Sequence, residues 1–388
     1  MPARRGERVL RYVAEDGSTG YSVAAGRLVD AVRGSGVEVE MRGVADGLLT
    51  DPARFVPHSR DDRPLATRAP DGATTVMHLV PEHLARVRAS TQGPVVIHTI
   101  WETDELPAHW PLLLNQSDGV LVPTEWNREI FRACGVDVPV EVVPHVACMP
   151  AAPVARTLDL PDELIVFYNI GRWDERKAPS LALRAFLEAF TADDPVVFVI
   201  KTGLISEMRQ PDDWGRTSPM YWTSSWHVAR LLRQYPRPPR VHLHVDEWSD
   251  ERIAALHARG DCYLTLTHSE GWGIGSFDAC AYGNPVIATG WGGHLAYLAE
   301  SPWLVDYDLV AVDNERAIGS YAPSQRWGDA RLEHAVSLLR RVASDLAGAR
   351  AAAEPIRERV ARDYAPSAVA DRFLAALARF GVFDRSVG

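Results

Sequence analysis

The stretch "HSEGWGIGSFDACAYGNPVIATGWGGH", residues 268–294, predicts the fold around it. Apolar "CYLTL" just before it is typical of a strand, and the closely spaced glycines are typical of a loop. "SFDACAYG" then has the pattern of a helix, and "NPVIATG" has the pattern of the next strand. The glycines would let main-chain amides approach a ligand closely. Glu270, at the start of this loop, could accept two hydroxyl hydrogen bonds from a sugar, and an outward-pointing loop acid is the plainer alternative.

The helix in this stretch is expected to begin with Ser276 as its N-cap. That start places Asp278 in the first helical turn, where the helix dipole favours an acid whether or not a ligand is present. The local pattern alone therefore gives Asp278 a structural explanation and does not require a ligand for it.

A second charged loop, "GRWDERKAPS" at residues 171–180, also lies between a predicted strand and a predicted helix. Arg172 and Lys177 could meet an anion there with a planar fork, a point charge and free amides at the positive end of the helix, which suits a diphosphate. The alternative is a solvated turn in which Asp174, Glu175 and Arg176 pair with their neighbours.

Lysine is rare in this chain. Of the 41 basic residues, two are lysines, Lys177 and Lys201, which leaves 39 arginines. A lysine retained among so many arginines indicates that its position needs a compact ammonium rather than a planar guanidinium, with chance retention as the alternative. Both lysines lie beside loops that end predicted strands.

Strand and helix patterns alternate along the chain, which at 388 residues and 46% hydrophobic content is long enough for two domains. Apolar strands alternating with helices favour parallel sheets, so the predicted fold class is α/β with two doubly wound, Rossmann-like domains facing a cleft. We expect a first domain at residues 1–153, a second domain at 154–365 and an amphipathic helix at 366–388. The periodicity lapses near residues 148–160, the expected linker.

Composition disfavours several classes of function. A formal charge of −10 disfavours broad nucleic-acid or anionic-membrane binding. No apolar run is long enough for a membrane span and no leader pattern follows the first arginines, so a cytoplasmic protein is expected. The four cysteines lack CxxC spacing and are expected to be reduced, and no histidine or cysteine spacing indicates a metal. The sequence leaves a homodimer open.

The two charged loops together resemble the donor-binding motifs of glycosyltransferase family 4, retaining enzymes of the GT-B fold. The first is similar to the family pattern E-G-F-G-x-x-x-x-E-A-x-A-x-G-x-P-V-I-A followed by a glycine pair, and "GRWDERKAPSLALRAF" resembles its G-R-x-x-x-x-K-G turn. "TIWETDELPAHW", "VPTEWNREIFRACGV" and "VVPHV" resemble the N-terminal domain of a subset of these enzymes. The likeness covers residues 95–293. It implies that residues 1–153 form an acceptor-side domain, residues 154–365 a donor-binding domain and residues 366–388 a crossover helix that packs on the first domain.

The resemblance implies a set of site residues. Arg172 and Lys177 would hold the nucleotide diphosphate and form the catalytic set with Glu270, which would bind donor-sugar hydroxyls. Asp278 would hold the ribose, although the family has glutamate there and aspartate is about 1.5 Å shorter. Main-chain amides of the loop would also contact the donor, namely those of Gly271, Trp272, Gly273, Ile274 and Gly275. Gly275 stands where the family usually has proline, and Ala178 where it has glycine.

Weaker candidates surround this set. Lys201 ends a strand and could reach a phosphate, and a salt bridge is equally expected. Gly17 and Gly20, in "DGSTGYS", could offer main-chain contacts to the diphosphate or simply form a turn. Trp248 could stack on a nucleobase or pack in the core.

Three further residues are candidates for the acceptor side. His98 ends a strand and could touch the sugar or be a satisfied core histidine. Trp101 and Glu102 in "WETD" are candidates for acceptor contact.

If the resemblance holds, an acceptor hydroxyl attacks the anomeric carbon of a nucleotide-bound sugar with retention, and the leaving phosphate takes the proton. The donor is a substrate, and neither a cofactor nor a metal is expected. The small, acidic N-terminal domain favours a small soluble acceptor such as a sugar, an aminocyclitol or a specialised metabolite. Two alternatives stand: a sugar-nucleotide epimerase or hydrolase, and a non-catalytic sugar-nucleotide-binding protein.

Overall fold

The structure is a computed structural model that describes residues 9–17, 19–44, 58–59, 69–150, 160–206, 223–313 and 320–383. The chain forms two compact units. The first contains Met1–Trp101, Glu105–Ala147 and Arg362–Gly388, and the second contains Glu102–Asp104 and Cys148–Ala361. Most of the predicted linker, residues 151–159, lies outside the described residues.

The first unit is built on a seven-stranded sheet in the order β3-β2-β1-β4-β5-β6-β7. All pairs are parallel except β2 with β3, which is antiparallel. Its strands are β1 (Val9–Glu15), β2 (Glu38–Val44), β3 (His58–Ser59), β4 (Thr75–His78), β5 (Val95–His98), β6 (Gly119–Val122) and β7 (Val140–Val142). The helices between these strands are α1 (Gly20–Gly34), α2 (Leu84–Ala89), α3 (Trp110–Leu114) and α4 (Glu125–Ala133).

The second unit is built on a six-stranded parallel sheet in the order β10-β9-β8-β11-β12-β13. Its strands are β8 (Ile165–Ile170), β9 (Val196–Lys201), β10 (Arg240–His244), β11 (Cys262–Thr265), β12 (Val286–Thr289) and β13 (Leu304–Val305), and β14 (Tyr307–Ala311) pairs separately and antiparallel with β15 (Arg326–Ala330). Its helices are α5 (Pro179–Ala189), α6 (Ser224–Leu232), α7 (Asp250–Arg259), α8 (Ile274–Ala281), α9 (Leu295–Leu298), α10 (Leu332–Ser344) and α11 (Leu346–Asp363).

The last helix, α12 (Pro366–Arg379), belongs to the first unit and packs on α1. Its buried residues include Val369, Phe373 and Leu377, which recur at intervals of four and so share one helix face. Phe373 lies 6.4 Å from the ring of Tyr12 on β1. The amphipathic pattern at the end of the sequence therefore predicted this helix correctly.

Strand and helix positions follow the sequence patterns closely because the central strands are buried along their length, as their apolar runs require. Thr124 is the N-cap of α4, since its hydroxyl accepts from Asn127 N at 3.0 Å. Gly135 just after α4 has a φ of +92°, a left-handed conformation that commonly ends a helix.

Two helix starts differ from prediction. The prediction for α8 was wrong, because Gly273, with a φ of +84°, turns the chain into the helix before Ser276. Ser276 instead donates to Gly273 O at 2.9 Å. Gly20 is the first residue of α1 and not part of the preceding loop, because Thr19 caps the helix by accepting from Ser22 N.

The order of the second sheet defines where a ligand can enter it. From β8 the chain continues to β9 on one side, whereas β11 pairs with β8 on the other. At such a switch point the connections leave on opposite faces and open a crevice at the carboxyl ends of the strands. Within the described ranges, no helix is long and apolar enough to cross a membrane.

Candidate active site

A pocket lies at this switch point, where β8 and β11 end and α8 begins. Its walls combine two charged side chains, several uncharged polar groups and the glycine loop. The lining residues are Asn169, Ile170, Gly171, Lys177, Tyr263, Thr265, Glu270, Gly273, Gly275 and Ser276. Residues from both predicted motifs therefore meet in one pocket.

Glu270 is held between two different cations. Its Oε1 lies 2.5 Å from Lys177 Nζ and its Oε2 lies 3.3 Å from Arg176 Nη1. The carboxylate is 8% exposed, so these contacts form largely out of water. Such paired, charge-assisted hydrogen bonds fix the orientation of a carboxylate and leave its remaining lone pairs to accept from other donors.

The surroundings of Glu270 also fix its charge. Burial by itself would raise the pKa of Glu270, but Lys177 and Arg176 outweigh that effect and lower its pKa to about 2. Burial lowers the pKa of Lys177, and the neighbouring Glu270 opposes that shift. The pair is therefore an ammonium beside a carboxylate at neutral pH.

The two arginines of the turn take different positions. Arg172, predicted to hold a diphosphate with Lys177, has a side chain that is 62% exposed and lies 3.4 Å from Asp174. Arg176, which the sequence suggested only as a partner for neighbouring charges, is 8% exposed and reaches Glu270 and Ser269 O, the latter at 2.7 Å. The structure thus places Lys177 and Glu270 in one pocket with Arg176 beside them, whereas Arg172 lies exposed beside Asp174.

The backbone of the turn explains why Arg176 and Lys177 both point inward. Asp174 Oδ1 accepts from Lys177 N at 2.7 Å, and Ala178 adopts a left-handed conformation with φ +44° before α5 begins. Left-handed backbone disfavours any residue with a Cβ by about 1–2 kcal/mol. Ala178 therefore holds a backbone conformation that favours glycine.

Glycines allow the loop around Glu270 to pack closely. Gly293 N donates to Glu270 O at 2.7 Å, and a Cβ on Gly293 would lie 2.0 Å from Gly271 O. A Cβ on Gly275 would lie 2.4 Å from Tyr263 Oη, which donates to Ile170 O at 2.9 Å. The phenol of Tyr263 therefore occupies the space that a side chain at position 275 would need.

Two predicted donor contacts have side chains that face the protein interior. Trp272 is 1% exposed, with its ring 4.9 Å from Phe277 and 5.2 Å from Tyr297. Only its main chain is therefore placed for a ligand contact, while Ile274, at the start of α8, is partly exposed. Asp278, in the second turn of α8, is 6% exposed and does not line the pocket.

Lys201 and Trp248 lie near the ends of β9 and β10, away from the lining of the pocket. Lys201 Nζ donates to Thr202 O at 3.1 Å. The ring of Trp248 is half-buried and lies under the guanidinium of Arg252 at 4.0 Å, with His244 at 4.8 Å. Trp248 thus packs with a cation and does not belong to the core.

The first unit places its candidates in and near its core. His98 is 1% exposed and stacks on His78 at 4.0 Å, with Tyr12 Oη 3.2 Å from its Nδ1. Trp101 is 5% exposed and donates from Nε1 to Glu105 O at 2.7 Å, so its ring is a packing element. In the loop before α1, Gly17 has a φ of +108°, which explains the glycine as turn chemistry.

Glu102 groups with the second unit, together with Thr103 and Asp104. Glu102 Oε1 lies 3.6 Å from Arg176 Nη2, and Tyr321 Oη donates to its Oε2 at 3.3 Å. Glu102 therefore contacts the same guanidinium that holds Glu270. This contact was not apparent from the sequence, because the two residues are far apart along the chain.

In the part of the chain that the structure describes, no cluster of three or more histidine, cysteine or carboxylate side chains has the geometry to hold a metal ion. The four cysteines form no disulfide there, and Cys262 and Cys280 are buried.

No protein-family model matches the chain, and a comparison with the curated proteins finds no match. Solved structures do match. A sucrose-phosphate synthase from Thermosynechococcus elongatus is 16% identical with a TM-score of 0.65, over 96% of this chain and 98% of that one. An α,α-trehalose 6-phosphate synthase from Burkholderia multivorans is 13% identical with a TM-score of 0.67, over 97% and 99%.

A third match is the E. coli trehalose-6-phosphate protein bound with UDP-2-fluoro glucose, at 11% identity and a TM-score of 0.62, over 95% of this chain and 98% of that one. These likenesses span nearly the whole chain and confirm the predicted GT-B fold. At such identities they establish the fold alone. The narrower resemblance to glycosyltransferase family 4 remains a prediction from the motifs.

Proposed function

We propose that this protein is a retaining glycosyltransferase that moves a sugar from a nucleoside diphosphate sugar to a hydroxyl of a small soluble acceptor. The observation that carries the proposal is Glu270, a buried carboxylate fixed between Lys177 and Arg176 in a pocket at the switch point of a GT-B fold. A carboxylate with a fixed orientation suits hydroxyl donors, and a lysine beside it suits a phosphate.

Each part of the pocket has a role in this proposal. Glu270 accepts from hydroxyls of the donor sugar. Lys177 and the amides around Gly273 and Gly275, at the start of α8, bind the diphosphate and stabilise the charge that builds on it as the glycosidic bond breaks. Arg172 is exposed beside Asp174 and reaches the diphosphate by a change of side-chain conformation. Asp278 does not line the pocket and would reach the ribose through water.

The chemistry needs no general base from the protein. The acceptor hydroxyl attacks the anomeric carbon on the face from which the phosphate leaves, and the leaving phosphate oxygen takes its proton. Catalysis then depends on preorganised positive charge around the phosphate. A metal ion is not part of this proposal.

The matched structures support the choice of donor. One of them is bound with UDP-2-fluoro glucose and two others are synthases of phosphorylated disaccharides, so uridine diphosphate sugars are the first donors to examine. For the acceptor we propose a sugar, an aminocyclitol or a specialised metabolite, and sugar phosphates belong in the same panel.

The test is a thermal-shift screen with nucleoside diphosphates, followed by turnover assays with the matching sugar nucleotide. A bound nucleotide raises the melting temperature by mass action. Acceptor-dependent release of nucleoside diphosphate supports the transferase, donor consumption without acceptor supports the hydrolase or epimerase, and a shift without any turnover supports a binding protein. Absence of a shift with every nucleotide would overturn the proposal, and Glu270→Gln is the control for site-specific turnover.

A further inference from the structure

Arg176 bonds to the loop that carries Glu270 through both its main chain and its side chain. Its main-chain oxygen accepts from His268 N at 2.8 Å and from Thr267 Oγ1 at 3.0 Å. Its guanidinium donates to Ser269 O at 2.7 Å and to Glu270 Oε2 at 3.3 Å. Backbone and side chain of this one residue thus hold the segment that leads into the glycine loop.

Lys177 faces two competing partners in the proposed reaction. Among the residues lining the pocket, Lys177 is the one cation, and its ammonium lies 2.5 Å from Glu270. A diphosphate entering the pocket carries more negative charge than one carboxylate and attracts the same ammonium. In the proposed reaction, the ion pair between Glu270 and Lys177 therefore weakens when the donor binds.

We propose that Arg176 is a positioning residue that keeps Glu270 oriented toward the donor sugar while Lys177 turns to the diphosphate. The inference rests on the proposed function for the identity of the ligand. Arg176 suits this task because its Nη1 donates to both Ser269 O and Glu270 Oε2, and because a guanidinium stays protonated at any working pH. Glu102 holds the other end of the fork at 3.6 Å.

A lysine in place of Arg176 would reproduce the charge without the geometry. A single ammonium cannot span Ser269 O, Glu270 and Glu102 as a fork does. Arg176→Lys therefore keeps Glu270 charged but orients it less well, whereas Arg176→Met removes both effects. The two variants separate charge from orientation.

Few charged or titratable groups lie near Glu270 in the part of the chain that the structure describes. Lys177 and Arg176 come from the turn before α5, His294 from the segment before α9, Tyr263 from β11, Tyr297 from α9 and Asp278 from α8. Of these, His294 is buried with its Nε2 2.7 Å from Thr289 O, and burial lowers its pKa. Arg176 and Lys177 are therefore the cations on which the state of Glu270 depends.

A direct test follows the Glu270 carboxyl by carbon-13 NMR in protein labelled at glutamate, with the signal assigned from Glu270→Gln. In the wild type Glu270 stays ionised at about pH 4, where an ordinary glutamate is half protonated. In Arg176→Met the carboxyl titrates at a clearly higher pH, and in Arg176→Lys it titrates close to the wild type. A wild-type titration in Arg176→Met would overturn the proposal, and this readout needs neither donor nor turnover.

Kinetics supply the second readout. We expect Arg176→Met to lower kcat about a hundredfold, the scale for losing one preorganised charge partner, with little change in nucleoside diphosphate binding. We expect the kcat of Arg176→Lys to lie between those of the wild type and Arg176→Met. Equal losses of nucleotide affinity and kcat would instead make Arg176 a phosphate ligand and contradict the positioning role.

A matched control tests whether any buried arginine would give the same result. Arg259 is 4% exposed and pairs with Asp261 at 3.2 Å just before β11, at the opposite end of the strand from the pocket. Arg259→Met removes a comparable ion pair and should leave the Glu270 titration unchanged. If it shifts that titration as Arg176→Met does, the effect is global and the inference fails. Wild-type protein that binds no nucleotide defeats the proposed function, while the Glu270 titration still decides the role of Arg176.

Discussion

Three buried histidines in the first unit predict a marked loss of stability in acid. His78, at the end of β4, stacks on His98 at the end of β5, and His145 lies 6.1 Å from His98. Burial lowers the pKa of His98 to about 3 and lowers the pKa of the other two well below the usual value. Each ring is therefore neutral in the folded protein and charged in the unfolded chain at moderately acid pH.

The direction and size of the effect follow from proton linkage. Since the folded pKa of His98 lies below its unfolded value of about 6.5, the folded state takes up the proton less readily, and stability falls as the pH drops through the interval from about 6.5 to about 3. One such proton costs about 1.4 kcal/mol per pH unit, so acidification from about pH 6 to about pH 4.5 costs about 2 kcal/mol for His98 alone. Total stabilities of about 5–15 kcal/mol make that loss easy to measure.

The assay is urea unfolding followed by circular dichroism across this pH interval, in the wild type and in His98→Asn. Asparagine retains a polar nitrogen for the contact with Tyr12 Oη but does not titrate. Other buried histidines, such as His227 with a pKa lowered to about 4, contribute to the wild-type slope, so the quantity to compare is the difference between the two proteins. If that difference in slope is well below one proton, the reasoning about His98 is refuted.

Three further predictions concern the pocket. Lys177→Ala and Glu270→Ala should each lower turnover by at least about a hundredfold in the glycosyl-transfer assay, and full activity of purified Glu270→Ala would contradict the site assignment. Dialysis against a metal chelator should leave turnover unchanged if the proposed metal-independent reaction is correct, and restoration by an added divalent cation after a loss would disprove that part. Gly275→Ala should lower the free energy of unfolding by about 1–3 kcal/mol, because its Cβ would lie 2.4 Å from Tyr263 Oη, and Tyr263→Phe in the same chain should recover part of that loss. Additive losses in urea unfolding of the double variant would rule out this clash.

Local sequence patterns predicted the elements well because each signal acts over a few residues. Thr124 caps α4, and the apolar strands are buried as their composition requires. The predicted start of α8 was wrong, and the reason is again local. Serine is a strong N-cap, but the helix begins directly after Gly273, which has a left-handed backbone. Ser276 therefore lies inside the helix, and its hydroxyl donates to the main-chain oxygen of Gly273.

The composition of the pocket was only half predictable. The motifs predicted Glu270 and Lys177 as site residues, and the structure places both in one pocket, where they form an ion pair that the motifs did not predict. Which arginine of the turn joins them depends on backbone direction. Asp174 binding Lys177 N and the left-handed Ala178 set that direction, and neither feature has a sequence signal strong enough to choose Arg176 over Arg172.

The rarity of lysine in this chain acquires a physical reason at position 177. Arg176 already presents a planar guanidinium to Oε2 of Glu270 at 3.3 Å, whereas the compact ammonium of Lys177 lies 2.5 Å from Oε1. A compact ammonium takes one oxygen of Glu270, can move to a phosphate on a flexible stem, and leaves the other oxygen to the rigid partner. The proposed reaction therefore needs one cation that can move to the phosphate and one that stays on Glu270, and a lysine and an arginine suit these two tasks.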